Sequence, residues 1–412
     1  MKLAGIWRDE AALRRLAWGA VVVYLAGLAI ASALRHQGDF AIYYRAGQRI
    51  WLGVSVYPAN EGDRFLYAPA FALLFAPLAL LPRQAAQVLW FIPNALALVA
   101  LIRGAGRMLF GGGRRMPAAL VFLPTLFCAR FIDNNVEHGQ IDLLVLALSV
   151  WAIVKARDNR NVATGALLAP ALLSKPLALA GAVYLLAARR WQAIFFTGLF
   201  VMGWLVLPAL CLGPRRAAAE TLGYVRAVRS MTSRYRLTMT NQSVGAVTFR
   251  ALSRRAENQA WTGDVANTIG AGYAVLVFVV LWVWVGKSEL YATSDLRRSL
   301  ALGALFALTP SLSAITWKHY YVALIVPYMA LLSALWVERP SGWHPPLSAW
   351  LLFSGSVALN LVSGDALNRF ALFYGAHLLS SLAAVGALAI ISRRVVSAQD
   401  RDGTAWRGSA AS

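Results

Sequence analysis

Long apolar segments alternate with short polar connections along nearly the whole chain. Several windows of roughly 17–22 residues carry no charged side chain, a length that crosses a hydrocarbon core of about 30 Å as a helix. Backbone groups in lipid must be hydrogen-bonded within their own segment, so these windows are predicted to be helices. About 12 spans are predicted: 16–34, 84–104, 116–131, 140–156, 162–174, 176–188, 191–211, 267–286, 298–315, 320–337, 346–362 and 370–392. The fold class is therefore an all-α polytopic membrane protein.

Prolines interrupt two of the apolar stretches. The segment "LLSKPLAL" joins the predicted spans 162–174 and 176–188. Its Pro176 cannot continue a regular helix without losing a hydrogen bond, so two helices or partial helices are expected to meet there. The stretch 65–82, "FLYAPAFALLFAPLALLP", contains three prolines. It is predicted to lie in or dip into the outer leaflet rather than to cross the membrane.

Composition and charge support the membrane class and give it an orientation. The chain is 59% hydrophobic and 14% charged, against about 45–50% and about 25% in soluble domains. The net charge of +21 is attributed to membrane orientation and anionic headgroups, and no nucleic acid partner is expected. With a cytoplasmic N-terminus, 21 of the 39 Lys and Arg fall inside, and nine of the other 18 lie in the long loop 213–266. Long loops contribute little to orientation, so both termini are predicted inside the bacterial cytoplasmic (inner) membrane.

One integral-membrane domain is predicted over 1–412. The loop 35–83 is expected to face outward and to include an interfacial helix, 213–266 is expected to be a long basic outward loop, and 393–412 a cytoplasmic tail. The first apolar run ends in "ASA", which resembles a signal peptidase site, but a retained first helix is favoured. The two cysteines lie in apolar segments without CxxC or Cys/His zinc spacing, so neither a disulfide framework nor a zinc site is expected.

The polar residues that could carry chemistry lie in the predicted outward loops. They occur in "GDFAIYYRAGQRIWLGVSVY" (38–57), in "FIDNNVEHGQID" (131–142), at Lys175, in "TNQSVGAVTFR" and in "TWKHYY". A carboxylate such as Asp39 can serve as a general base. Lysine and arginine can bind phosphate through charge-assisted hydrogen bonds.

The order of these motifs resembles glycosyltransferase family 87, whose members include polyprenol-phosphate-mannose-dependent mannosyltransferases. The similar segments are "GDFAIYYRAGQRIWLGVSVY", "FLYAPAFALLFAPLALLP", "VLWFIPNALALVAL", "HGQIDLLVLAL", "LLSKPLAL", "NQSVGAVTFR" and "TPSLSAITWKHYYVALIVP". They cover roughly residues 15–340. Family members often have "HHY" where this chain has "KHY", which leaves the role of Lys318 open.

The resemblance implies a GT-C fold with an outward active site and an inverting transfer of a hexose, with mannose expected. The donor would be a polyprenyl-phosphate sugar, the acceptor a lipid or a glycan, and the surrounding partners membrane lipids; no cofactor or metal is expected. The implied catalytic residues are Asp39 and His319. The implied substrate-binding residues are Tyr43, Tyr44, Gln140, Lys175, Asn241, Gln242 and Lys318.

Each residue also has a structural alternative. Asp39 could cap a helix that begins at Phe40, the tyrosines could be interfacial anchors, and Lys175 could extend toward the interface. His319 could be a solvated loop residue. The polar residues of the 131–142 turn could hold a divalent cation, although a plain polar turn is favoured; they are Asp133, Glu137, His138 and Asp142.

Two other function classes stay open at this stage. A secondary transporter or lipid flippase would need a continuous polar path through the membrane, and Lys175 is the one charge predicted near the interior. A noncatalytic assembly subunit of an envelope polysaccharide system would not need the pairing of Asp39 with His319.

Overall fold

The structure, a computed structural model, describes residues 9–34, 38–58, 64–111, 116–235, 238, 240–253, 259–291, 295–334, 369 and 372–409. Within these ranges the regular elements are helical, and no strand occurs. The α-helices, numbered α1 to α16, are Glu10–Leu34, Gly38–Leu52, Pro69–Phe75, Arg83–Phe110, Ala118–Phe127, Ala129–His138, Asp142–Arg157, Asn161–Ser174, Leu179–Ala187, Trp191–Leu212, Pro214–Tyr235, Val244–Ser253, Gln259–Tyr291, Asp295–Leu308, Ile325–Ser333 and Ala376–Ser409. Short 3₁₀ helices occupy Leu78–Leu80, Pro176–Ala178, Thr309–Leu312 and Lys318–Leu324.

Five of the described helices are long and apolar enough to cross a membrane: α1, α4, α10, α13 and α16. A sixth crossing results if the bent pair α6 and α7 counts as one span. Several other predicted spans correspond to apolar helices that are shorter than a full crossing. The described residues therefore do not confirm the expected number of twelve membrane spans. The predicted span 346–362 lies outside the described residues.

The predicted span 116–131 is wrong as a single helix. Helix α5 ends at Phe127 and α6 begins at Ala129. Cys128 between them has φ −95° and ψ 4°, outside the helical range. Pro124 lies inside α5 one turn before the break, where it has no N–H to donate to the helix.

Helices α6 and α7 are separated by a bend of 117°. The bend follows Gly139, whose φ of 69° and ψ of 29° are left-handed and favour glycine. Gly139 and Gln140 donate their backbone N–H groups to carbonyls in the last turn of α6. The bend places Gln140 at a helix break next to the first turn of α7.

The chain is interrupted at the two proline-containing stretches, as the sequence predicts. Within 65–82 there is only the seven-residue helix α3 and one 3₁₀ turn, which are too short to cross a bilayer. Helix α8 ends at Ser174, and Lys175 is extended, with φ −150° and ψ 149°. The 3₁₀ turn at Pro176–Ala178 then leads into α9.

The segment 213–266, predicted as a long outward loop between spans, contains α11, α12 and the start of α13. Pro214 stands at the first position of α11, where a proline is tolerated. Glu220 of α11 is buried and accepts a hydrogen bond from the Val56 backbone N–H at 3.0 Å. Arg216 donates to backbone carbonyls in 49–54. Helix α11 is therefore joined to the segment that follows α2.

The apolar core is built by close helix packing. Helix α8 approaches α10 at Gly165, where a side chain would come within 2.6 Å of the Phe196 carbonyl carbon and 2.7 Å of the Thr197 nitrogen. On another part of the bundle, Arg157 of α7 forms an ion pair with Glu289 of α13. Arg157 also donates to the Met108 carbonyl at 2.5 Å. These contacts join segments that were all assigned to the cytoplasmic side.

Candidate active site

A cavity of about 790 Å³ lies where the predicted outward segments meet. Side chains from α2, the segment before α3, the α6–α7 bend, the α8–α9 break, α11 and the 312–320 segment line it. Its charged or titratable groups include Asp39, Arg64, His138, Lys175, Lys318 and His319. Its apolar walls include Ile42, Leu66, Leu179, Val228, Leu312 and Ile315. The cavity can therefore accept a molecule with both a charged and an apolar part.

Asp39 stands in the first turn of α2 and is half-buried in the cavity wall. It is the second residue of α2 and not the cap of a helix beginning at Phe40. The side-chain N–H group of Gln140 donates to Asp39 Oδ2. One helical turn along α2, the Tyr43 hydroxyl donates to Gln140 Oε1 at 3.3 Å. Asp39 and Gln140, which are 101 positions apart in the sequence, are thus in direct contact.

Tyr43 and Tyr67 line the cavity beside this contact. Their hydroxyl groups are 2.8 Å apart, and both side chains are buried. Burial raises the pKa of Tyr67 well above its ordinary value, with a smaller contribution from the neighbouring Tyr43. Tyr67 is therefore a neutral hydroxyl at physiological pH and can donate or accept a hydrogen bond.

Lys175 forms a buried ion pair with Asp142. The ammonium nitrogen is 2.9 Å from Asp142 Oδ1 and 3.1 Å from Oδ2. Asp142 has no exposed side-chain surface, and Asn135 of α6 donates to its Oδ2 at 2.9 Å. Lys175 also donates to Gln140 Oε1 at 2.5 Å and lies 5.0 Å from the centre of the Tyr320 ring. A continuous polar chain thus runs from Asn135 and Asp142 through Lys175 and Gln140 to Asp39.

His319 and Lys318 reach the cavity from the 3₁₀ helix that precedes α15. His319 Nε2 lies 3.6 Å from Asp142 Oδ2, slightly beyond hydrogen-bond distance. Burial, together with the charge of Lys175, lowers the pKa of His319 well below its ordinary value, so the imidazole is neutral. Burial and the nearby Arg130 lower the pKa of Lys318 to about 8, although Asp133 and Glu137 oppose the shift.

The structure brings together six of the nine sequence-predicted residues in the cavity: Asp39, Tyr43, Gln140, Lys175, Lys318 and His319. Tyr44 does not line the cavity, and its hydroxyl donates to the Leu81 carbonyl at 2.7 Å. Asn241 and Gln242 are fully buried beside the cavity and hold the 314–316 backbone. Asn241 donates to the Ala314 carbonyl at 3.1 Å and accepts from the Thr316 N–H at 2.9 Å. The Gln242 N–H donates to the Thr316 carbonyl at 2.7 Å.

Sequence reasoning named Asp142 only as a cation ligand and missed its pairing with Lys175. Three of the four residues weighed for a cation have separate partners: Asp133 pairs with Arg130 at 3.2 Å, His138 contacts the Asn134 carbonyl at 2.9 Å, and Asp142 pairs with Lys175. Across the described ranges, no three His, Cys, Asp or Glu side chains are grouped to hold a metal ion. The sequence feature that could have indicated a role for Asp142 is its position two residues after Gln140 in "HGQID". Its partner Lys175 lies 33 positions away, so the pairing is not visible in the sequence.

The comparisons with known proteins agree with the resemblance seen in the sequence. The model of Glycosyltransferase family 87 matches residues 65–311. A relative from Mycobacterium tuberculosis (strain CDC 1551 / Oshkosh) is 26% identical over 347 residues, which are 81% of this chain and 70% of the relative. Its name is polyprenol-phosphate-mannose-dependent alpha-(1-2)-phosphatidylinositol pentamannoside mannosyltransferase.

A relative of the same name from Mycolicibacterium smegmatis (strain ATCC 700084 / mc(2)155) is 27% identical over 301 residues, covering 68% of this chain. The match spans 64% of that relative, just under two thirds of its length. The crystal structure of ArnT from Cupriavidus metallidurans bound to undecaprenyl phosphate is 15% identical, with a TM-score of 0.43. That match covers 92% of this chain and 77% of the ArnT chain, but the TM-score is too low to establish a common fold.

Proposed function

The chain belongs to glycosyltransferase family 87, and we propose that it transfers a hexose, mannose by expectation, from a polyprenyl phosphate to a lipid-anchored or polysaccharide acceptor. The proposal includes an inverting reaction, a GT-C fold and an active site on the outer face of the bacterial cytoplasmic membrane. The observation that carries it is a cavity whose lining includes Asp39, three cationic side chains and apolar walls.

The chemistry assigned to this cavity is a single displacement. The acceptor hydroxyl gives its proton to the Asp39 carboxylate while its oxygen forms a bond to the anomeric carbon. The bond from that carbon to the phosphate oxygen breaks, and polyprenyl phosphate leaves with the bonding electrons. Because attack and departure occur on opposite faces of the sugar, the anomeric configuration inverts.

The cations of the cavity would receive the negative charge of the departing phosphate. Lys318 and Arg64 both line the cavity, and Arg64 is oriented by a hydrogen bond of 2.7 Å to Ser230. Positive groups fixed where charge develops stabilise a transition state without reorganisation. The apolar walls, which include Leu179 and Ile315, suit the first isoprene units of a lipid-linked donor.

The donor class can be tested with purified protein in detergent. Transfer should occur from radiolabelled polyprenyl-phosphate-mannose to a lipid extract, and the Asp39→Asn variant serves as the matched control for background. GDP-mannose without polyprenyl phosphate should give no product. Turnover with GDP-mannose alone would refute the proposal. Transfer from another polyprenyl-phosphate hexose in preference to mannose would correct the sugar and keep the donor class.

A further inference from the structure

We infer that the buried pair of Lys175 and Asp142 positions the Asp39 carboxylate through Gln140, and that Lys175 is a positioning residue rather than a ligand of the donor phosphate. This inference rests on the proposed function, in which Asp39 is the base. It changes the role that the sequence suggests for Lys175 and gives roles to Asp142 and Gln140.

The hydrogen bonds of Lys175 carry the first step. An ammonium group has three donors and no acceptor. Two of them are used, because the Lys175 nitrogen donates to Gln140 Oε1 at 2.5 Å and to Asp142 Oδ2 at 3.1 Å. It also makes an ionic contact of 2.9 Å with Asp142 Oδ1. The side chains of Lys175 and Asp142 are 7% and 0% exposed, so the positive charge is already offset by a carboxylate inside the protein. A phosphate in the cavity would have to compete with Asp142 for this charge.

The orientation of the Gln140 amide is the second step. Its oxygen accepts from Lys175 and from the Tyr43 hydroxyl, so its nitrogen is directed to Asp39. The opposite orientation would place the amide N–H groups against the ammonium group and the carbonyl oxygen against a carboxylate. Lys175 therefore determines which end of Gln140 faces Asp39, and Asp142 holds Lys175 in place.

The consequence for catalysis is geometric and electrostatic. A base must lie within hydrogen-bond reach of the acceptor hydroxyl, and a displacement of about 1 Å can cost about 10²-fold in rate. The donated hydrogen bond from Gln140 fixes the carboxylate and favours its charged form. Without the pair, Gln140 can rotate, and Asp39 loses the hydrogen bond from Gln140 and the positioning that this bond provides.

The titratable and charged groups around Asp39 come from several of the segments that line the cavity. They are Tyr43, Arg64, Tyr67, His138, Asp142, Lys175, Tyr224, Lys318, His319 and Tyr320. The test therefore changes only the pair and leaves the other groups as they are.

The test variant is Lys175→Met combined with Asp142→Asn. It removes both charges together, and the new amide can still accept from Asn135. We expect donor affinity within about twofold of wild type, measured with undecaprenyl phosphate, and kcat lower by about 10²-fold. The acidic limb of kcat/KM should move to higher pH by about one unit, because the carboxylate loses its donor. Gln140→Leu should reproduce both effects.

A matched control is available in the partly buried pair of Arg157 and Glu289, which does not line the cavity. Arg157→Met combined with Glu289→Gln should leave the pH profile unchanged. If that control fails to fold, Gln140→Leu, which breaks no ion pair, still separates positioning from general loss of structure. A donor affinity at least tenfold weaker in the Lys175 and Asp142 variant, with an unmoved acidic limb, would overturn the inference and make Lys175 a phosphate ligand.

A second readout does not depend on turnover. Infrared difference titration of each protein against its Asp39→Asn counterpart follows protonation of this carboxyl group directly. Protonation should occur at higher pH in the variant than in wild type, and an unchanged titration would overturn the inference. If wild type transfers no sugar from polyprenyl phosphate, the proposed function fails, while the titration still decides whether the pair acts on Asp39.

Discussion

The ammonium nitrogen of Lys175 lies 2.9 Å from Oδ1 of Asp142, which has no exposed side-chain surface. Two opposite charges have thus been removed from water together, at the end of one broken helix and the start of another. Pairs of this kind contribute little net stability, but loss of one partner leaves an uncompensated charge in the interior.

The pair should therefore respond asymmetrically to substitution. Lys175→Met alone or Asp142→Asn alone should destabilise the protein by about 3–5 kcal/mol, because one charge stays buried without its partner. Lys175→Met combined with Asp142→Asn should lose much less. Intrinsic tryptophan fluorescence during thermal unfolding in detergent compares the four proteins. A loss in the double variant equal to the sum of the two single losses would show that the two charges are not coupled.

Asp39 is expected to be the base. Asp39→Asn keeps the size of the side chain and can still contact Gln140, but it removes the proton acceptor, so transfer should fall by about 10²–10⁴-fold. Expression, membrane insertion and donor binding should stay near wild type. Asp39→Glu should also be impaired, because its carboxylate is displaced by about 1 Å. Transfer at wild-type rate by folded Asp39→Asn protein would place the base elsewhere, and His319 would be tested next.

The sequence predicted the features that depend on local composition. Hydropathy located the five long apolar helices, and Pro176 predicted the break beside Lys175. The position of Asp39 just after α1 also follows from the first apolar run. These features depend on a segment's own residues, so a single sequence suffices to find them.

The features that sequence analysis missed depend on partners far along the chain. Hydropathy does not detect α11 because its five arginines make the helix polar, and a polar segment between apolar spans is predicted as a loop. The pairing of Lys175 with Asp142 and the burial of Asn241 under the 314–316 backbone need the packed fold. The order of the motifs identified Lys175 and Asn241 as candidate site residues. It did not show that Lys175 lines the cavity while Asn241 lies beside it.

Asn241 is expected to be structural. Asn241→Ala would leave the Thr316 and Ser243 N–H groups and the Ala314 carbonyl without this partner. Buried unsatisfied groups cost about 1–3 kcal/mol each, so a loss of at least about 2 kcal/mol is expected, with lower kcat because the segment leads into Lys318. Asn161→Ala is the control, since its hydrogen bond to Gln192 is solvent-exposed. Unchanged stability with a raised donor KM would instead make Asn241 a donor contact.

The orientation in the membrane can be tested by cysteine labelling after replacing buried Cys128 and exposed Cys211. The two test variants are Arg226→Cys and Arg160→Cys. Arg226 is exposed on α11, and Arg160 is exposed in the turn between α7 and α8. An impermeant maleimide should label the first in intact spheroplasts and the second only after permeabilisation, because basic short loops face the cytoplasm. The reverse result would place the cavity on the cytoplasmic side.

Lys318 gives the reaction an expected alkaline limit. Because burial and Arg130 lower the pKa of Lys318 to about 8, its charge, and with it the attraction for the donor phosphate, should be lost as the pH rises through that value. The kcat/KM for the donor reports the free enzyme and should therefore decline above about pH 8. Loss of stability does not explain such a decline. The pKa of a lysine in the unfolded chain is about 10.4, so between about pH 8 and this value the unfolded chain binds one more proton than the folded protein. The contribution of Lys318 to the free energy of unfolding therefore rises with pH in this range. Lys318→Arg keeps its charge at these pH values and should remove the decline. If Lys318→Arg shows the same alkaline limb as wild type, the limb belongs to another group, and Lys318 does not hold the phosphate.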